Sequence, residues 1–161
     1  MTLAIKKIRT LSFSLAFLAM AIDQATKIWA EASLALGEYI PIVPFFNIRL
    51  GYNTGAAFSF LSDAGGWQQW FFIIFAIVVS VVLSVWIIRL KTHEAWTGIG
   101  LGLILGGAVG NVIDRIAYGH VIDFLDVYYG QWHFPTFNIA DSAITLGAGI
   151  LLMLSFSEAK R

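Results

Sequence analysis

The sequence predicts an all-α membrane protein of four transmembrane helices with a small strand-rich lobe outside the bilayer, and three observations carry that prediction. The 161 residues are 58% hydrophobic and only 12% charged, with a mean hydropathy of +0.78, a composition typical of integral membrane proteins. Four apolar stretches of about 20 residues are each long enough to cross a hydrocarbon core of about 30 Å. Proline, glycine and short alternating runs gather between the first and second of these stretches. Residues 1–161 are therefore expected to form one integral membrane domain.

The first span covers about Leu11 to Ala30. It carries Asp23, Lys27 and Glu31 at four-residue steps, which aligns them on one helix face at the membrane edge. A snorkelling ion-pair ladder would account for Lys27 and Glu31, whereas Asp23 lies deeper and has a shorter reach. Lys6, Lys7 and Arg9 ahead of an apolar run and Ala19-Met-Ala21 imitate a secretory signal. Cleavage is not expected there, because it would leave an odd number of spans and the helical pattern continues through Asp23 and Lys27.

The next stretch, about residues 36–63, holds Pro41, Pro44, Gly51, Gly55 and the alternating run Phe45-Phe-Asn-Ile-Arg-Leu50, and reads as the strand-rich lobe. Its many apolar side chains suggest that it rests on the membrane surface. The second span runs from about Gln68 to Leu90 and ends in the polar turn Arg89-Leu-Lys-Thr-His-Glu94. The third, about Trp96 to Ala117, places Gly98, Gly102, Gly106 and Gly110 at four-residue intervals, a pattern that lets a neighbouring helix approach closely. Its outer end carries Gly110-Asn-Val-Ile-Asp-Arg115, in which Asn111, Asp114 and Arg115 share a face and Asp114 can pair with Arg115. The chain then returns to the membrane through Val121-Ile-Asp-Phe-Leu-Asp126, where a helical reading sets Asp123 and Asp126 one turn apart. The fourth span, about Phe137 to Phe156, opens with Asn138 and Asp141, which face the bundle with Thr145.

Charge orients the bundle. Lys6, Lys7, Arg9, Arg89, Lys91, Lys160 and Arg161 fall on one face, and Lys27, Arg49 and Arg115 on the other, so both termini are expected in the cytoplasm. Eight of the ten acidic residues then belong to the outer side. The net charge of zero hides this asymmetry, which argues against a nucleic-acid partner.

Chemistry is narrowed by what is absent. There is no cysteine, no His-Glu-x-x-His, no serine in a nucleophile-elbow context, and the three histidines are scattered, which argues against thiolate, zinc and serine chemistry. The Asp-x-x-Asp spacing lacks the dense oxygen pattern of a calcium loop, so no metal or other cofactor is expected. A carboxylate near hydrocarbon costs from roughly 2.5 kcal/mol upward at a helix centre, so several of them need a compensating reason. Asp23, Asp123 and Asp141 can converge at the outer edge of spans one, three and four. Two carboxylates sharing one proton can activate water while protonating a carbonyl oxygen, which is amide hydrolysis without a covalent intermediate. Acids at this depth also mark proton pathways, so a small proton-coupled transporter or channel subunit is the competing reading.

Five ordered motifs carry a resemblance over essentially the whole chain: Asp23 with Lys27, Asn53-Thr-Gly-Ala-Ala-Phe58, Gly110-Asn-x-x-Asp-Arg115, Val121-Ile-Asp-Phe124 and Phe137-Asn-x-Ala-Asp141. Together they resemble the signal peptidase II family, the bacterial lipoprotein signal peptidases. The resemblance implies an aspartic endopeptidase of the bacterial inner membrane that removes the signal peptide from prolipoproteins just before the diacylglyceryl-modified cysteine. It implies Asp123 and Asp141 as catalytic dyad, and Asp23, Lys27, Asn53, Gly55, Asn111, Arg115 and Asn138 as the residues that bind substrate. It further implies a periplasmic β-cradle, a short periplasmic helix in the outer connections, and inhibition by peptide antibiotics of the globomycin type. The small residues Gly55, Ala56 and Ala57 would let a substrate approach closely, and Asp126 is expected to solvate or cap its loop. One chain supplies the whole site, so a monomer is expected, with membrane lipid and prolipoproteins as partners.

Overall fold

A computed structural model describes residues 3–55 and 67–158. Four helices follow one another as α1 (Leu3–Ser33), α2 (Trp67–Arg89), α3 (Ala95–Tyr118) and α4 (Ile139–Glu158). Strands β1 (Tyr39–Val43) and β2 (Phe46–Asn53) lie between α1 and α2, and β3 (Val121–Tyr129) and β4 (Trp132–His133) between α3 and α4. The fold is thus mostly helical with one small antiparallel sheet in the order β1-β2-β3-β4. Among the described residues three helices, α2, α3 and residues 139–157 of α4, are long and apolar enough to cross a membrane. Helix α1 is the longest at 31 residues, but its charged residues set it apart from those three.

Helix α3 is the centre of the bundle, packing against α1, α4 and α2, as its glycine ladder predicts. A Cβ at Gly102 would overlap the Ser12 carbonyl, one at Gly106 the Ala16 carbonyl, and one at Gly107 the Ala140 carbonyl. On the α4 side Gly147 meets the Gly100 carbonyl in the same way. The backbones of α1 and α4 therefore lie against α3 with no side chain between them, and the packing is van der Waals contact between main chains.

The sheet corrects one sequence expectation. Residues 121–126 are strand, not helix, so Asp123 and Asp126 do not stack one turn apart; β3 pairs with β2 through Gly51 opposite Asp123 and Asn47 opposite Asp126. The alternating run that marks residues 45–50 does form β2, while the β-rich, aromatic composition of Val121-Ile-Asp-Phe-Leu-Asp-Val-Tyr-Tyr129 is the signal that identifies β3. A cluster of Ala30, Leu34, Ile48, Leu50, Ile122 and Phe124 fastens the sheet to the outer end of α1. Gly119, at φ 76°, ends α3 in the left-handed region and turns the chain into β3. Among the described parts of the outer connections no short helix occurs. Residues 56–66, which include Ala56, Ala57, Phe58 and Asp63, and the terminal Lys160 and Arg161 lie outside the described residues.

Candidate active site

The first turn of α4 brings Asp141 to a cavity at the sheet end of the bundle, and strand β3 brings Asp123 close behind its lining. Asn138 precedes α4, and its side-chain oxygen accepts the Asp141 amide N–H at 2.9 Å while Asp141 Oδ2 accepts the Asn138 N–H at 3.3 Å. This reciprocal pair is a capping box built from Asn and Asp, so the same spacing that starts the helix fixes the carboxylate. Asn138 then uses its Nδ2 to donate to Asp123 Oδ1 at 2.8 Å. The fully buried Asn138 thus touches both carboxylates, Asp123 with its side-chain amide and Asp141 with its backbone N–H.

Each remaining carboxylate oxygen also has a donor. Asn111 Nδ2 donates to Asp141 Oδ1 at 2.9 Å, and Asn53 Nδ2 donates to Asp123 Oδ2 at 3.2 Å. Asn53 is itself held by an Asx turn, its side-chain oxygen accepting the Gly55 N–H at 2.9 Å. Arg115 closes the arrangement, donating to the Gly55 carbonyl at 2.9 Å and the Asn111 carbonyl at 3.3 Å with its guanidinium 5.4 Å from the Phe72 ring centre. Gly55 is buried, and its carbonyl serves as an anchor for Arg115.

Behind Asn111 lies a buried ionic cluster. Lys27 Nζ is 2.8 Å from Asp23 Oδ2, 2.7 Å from Asp114 Oδ2 and 2.9 Å from Asn111 Oδ1. The remaining oxygens are satisfied: Asp23 Oδ1 accepts the Ala140 N–H, Asp114 Oδ2 also accepts the Ile122 N–H, and Asp114 Oδ1 accepts Gln24 Nε2. Such a pair survives burial only when every lone pair is met. Lys27 has only donors to offer, so the Asn111 oxygen must face it and the Asn111 amide nitrogen must face Asp141.

This geometry revises several expectations. Asp23 and Lys27, at 0% and 1% exposure, stand behind the cavity wall rather than on it, and Lys27 does not snorkel. Asp114 pairs with Lys27 and not with its neighbour Arg115, because the packing of α1 on α3 brings Lys27 to Asp114 while Arg115 turns to the Asn111 and Gly55 carbonyls. Asp126 is not solvated; it is 1% exposed and accepts from Asn47 at 2.9 Å with His133 Nδ1 2.8 Å away, tying β2, β3 and β4 together. Gln24 is a cluster member that the sequence reading did not single out, although a second polar residue beside Asp23 inside an apolar helix was the available signal.

The cavity measures about 710 Å³ and is lined by Asn53, Asn111, Arg115, Asp141 and Thr145 on its polar side and by Val121, Phe134, Phe137, Ile144 and Leu146 on its apolar side. Asp123, 3% exposed, stands behind the lining, bonded to Asn53, which does line the cavity, and burial, followed by the nearby Asp141 carboxylate, pushes its pKa up to about 7. The Asn53 and Asn138 hydrogen bonds and the Lys27 charge pull the other way but do not prevail. Among the described residues no group of His, Cys, Asp and Glu could hold a metal ion. The two carboxyl groups lie near enough for the charge on Asp141 to act on Asp123, beside a mainly apolar slot.

Comparison with known proteins leads to the same chemistry. The family described as signal peptidase (SPase) II matches residues 15–157. A lipoprotein signal peptidase of Pseudomonas fluorescens strain Pf-5 is 52% identical over 148 residues, covering 91% of this chain and 87% of its own. One from Hydrogenovibrio crunogenus is 49% identical over 142 residues, covering 88% and 83%, and one from Pseudomonas aeruginosa strain UCBPP-PA14 is 50% identical over 145, covering 89% and 86%. A bacterial membrane enzyme solved at 2.3 Å superposes with a TM-score of 0.85 at 30% identity, over 93% of this chain and 90% of that one. A second, solved at 1.9 Å, gives 0.78 at 32% identity over 90% and 92%. With the family model spanning nearly the whole sequence and relatives about half identical along it, the chain belongs to the signal peptidase II family.

Proposed function

We propose that the chain is an intramembrane aspartic endopeptidase that cleaves prolipoproteins immediately before the diacylglyceryl-modified cysteine, with Asp123 and Asp141 as its dyad. The observation that carries the assignment is the pair of carboxyl groups bridged by Asn138, its side-chain amide on Asp123 and its backbone N–H on Asp141, beside a mainly apolar cavity with polar residues along one side. With its pKa raised to about 7, Asp123 keeps its proton well above the usual carboxylate range. One carboxylate takes a proton from a water that attacks the scissile carbonyl, and the other carboxyl protonates the carbonyl oxygen. The tetrahedral intermediate collapses as a proton passes to the amide nitrogen, the C–N bond breaks, and the dyad regains its single proton. Asp123, with its pKa near 7, suits the acid.

Asn53, Gly55, Asn111, Arg115 and Asn138 surround the cut: Asn53, Asn111 and Arg115 line the cavity and meet substrate, while Gly55 and Asn138 set the wall and the dyad. Asp23 and Lys27 serve binding indirectly, by orienting Asn111. Helix α1 is the fourth span, its outward Leu11, Phe17, Leu18 and Ile22 facing lipid while Asp23 and Lys27 face α3. Residues 1–161 form one domain of the bacterial inner membrane, with both termini cytoplasmic and the site at the periplasmic face, a placement supported by the basic residues at the end opposite the sheet. The enzyme acts as a monomer and is inhibited by globomycin-type peptides that occupy the same cavity.

The test is a gel-shift assay on a purified diacylglyceryl-modified prolipoprotein. Wild type should cleave it with or without a chelator, whereas folded Asp123→Asn and Asp141→Asn should not. Substantial turnover by either variant would remove that residue from the dyad.

A further inference from the structure

Helices α1 and α2 lean on α3 but hardly touch one another, which leaves a groove along the membrane side of the bundle. Its upper part, at the bundle end away from the sheet, measures about 600 Å³ and carries Lys6, Arg9, Thr10 and Ser14 at its mouth. A second hollow of about 520 Å³ continues it toward mid-membrane, sharing Phe13 and Phe17 and floored by Leu105 and Gly106. On α1 the residues fall into a single stripe, Lys6, Arg9 or Thr10, Phe13 and Phe17, whose three- and four-residue steps put cations at one end and rings below. At 1.5 Å per residue the stripe from Lys6 to Phe17 runs about 16 Å along the helix axis.

Arg9 is held at the mouth, not loose on the surface. Its Nη2 donates to the Leu90 carbonyl at 3.2 Å, at the end of α2, so the guanidinium bridges the two helices across the top of the groove. Among the described residues that line the two hollows none is acidic. Cations and hydroxyls above an apolar trough match one chemistry, a phosphodiester head group with acyl chains hanging beneath it.

We propose that this groove is a binding site for an anionic phospholipid, its phosphate on Lys6 and Arg9 and an acyl chain along Phe13 and Phe17. The lipid fills a seam the protein leaves open and pins α1 to α2 at the end of the bundle remote from the dyad. The inference rests on the membrane reading and not on the protease reading.

Native mass spectrometry of the full chain released from nanodiscs of equal phosphatidylglycerol and phosphatidylcholine tests it. Wild type should retain phosphatidylglycerol in preference to phosphatidylcholine. Lys6→Gln and Arg9→Gln should each lower that preference about five-fold, the worth of one cation near an anionic head group. Lys7→Gln removes the same charge from a residue that does not line the groove and should leave the preference in place. Equal loss in Lys7→Gln would mean diffuse surface charge, no preference in wild type would mean no site, and displacement by millimolar inorganic phosphate would mean a bare phosphate site; each overturns the proposal. Prolipoprotein cleavage should be unchanged in all three variants, so failure of the protease reading would show separately, as inactive wild type with its lipid preference intact.

Discussion

Replacing Asp123 by asparagine should make the protein more stable at alkaline than at acidic pH relative to wild type, because it removes a carboxylate that burial disfavours. The folded state holds the Asp123 proton more tightly than the unfolded chain, with a pKa raised from 3.8 to about 7. A raised carboxyl pKa leaves stability undiminished below the unfolded value and erodes it as pH rises toward the folded one. Linkage between those two values gives a wild-type deficit of about 2 kcal/mol at pH 5 and about 4 kcal/mol at pH 8, so the variant should gain about 2–3 kcal/mol across that interval. A pH-independent loss runs against this gain, since Asn53 and Asn138 both present amide N–H groups to Asp123, and one would then meet the new amide nitrogen. The slope with pH, not the offset, is therefore the diagnostic. The six tryptophans supply the signal for thermal unfolding in detergent, and the difference in Tm between variant and wild type should grow by about 5–10 °C from pH 5 to pH 8. Parallel profiles for the two proteins would refute the claim that Asp123 is a destabilised, proton-holding acid.

Other consequences are read from packing and the buried polar groups. Gly106→Ala should lower Tm because its Cβ would overlap the Ala16 carbonyl, whereas Gly149→Ala meets nothing within 4 Å and should be neutral or raise Tm through better helix propensity; equal effects would sink the close-packing account. Lys27→Met should cost about 3–5 kcal/mol by stranding Asp23 and Asp114, measured as a fall in Tm, and should also reduce cleavage in whatever fraction folds by freeing Asn111 to turn its oxygen toward Asp141. Asp126→Asn should cost about 1–2 kcal/mol through the Asn47 and His133 contacts and leave kcat near wild type; complete inactivation with a normal melting curve would bring Asp126 into the site.

Much of this protein was legible from one-dimensional information, for a physical reason. Lipid forces the backbone to satisfy itself, so long apolar stretches have few options besides helix, and the expected spans from about 68, 96 and 137 correspond to α2, α3 and α4 within a few residues. Glycines spaced by four mark a helix face that another backbone can reach, and α3 uses them against α1. Acids beside apolar runs draw attention because their desolvation is costly, and Asn138 bonds to both Asp123 and Asp141.

What the chain could not state locally was partnership. Val121-Ile-Asp-Phe-Leu-Asp126 is compatible with helix or strand taken alone, and only pairing with β2 across 70 residues of sequence decides for strand. Whether Asp114 would bond to Arg115 beside it or to Lys27 on another helix depended on how α1 and α3 turn toward each other, a matter of packing angle and not of spacing. The same holds for Asp126, whose burial follows from the hairpin that covers it. Residue type and spacing determined the elements and the candidate acids; the tertiary structure decided which buried donor meets which acceptor, because such bonds join residues far apart in sequence and exist only once the helices have packed.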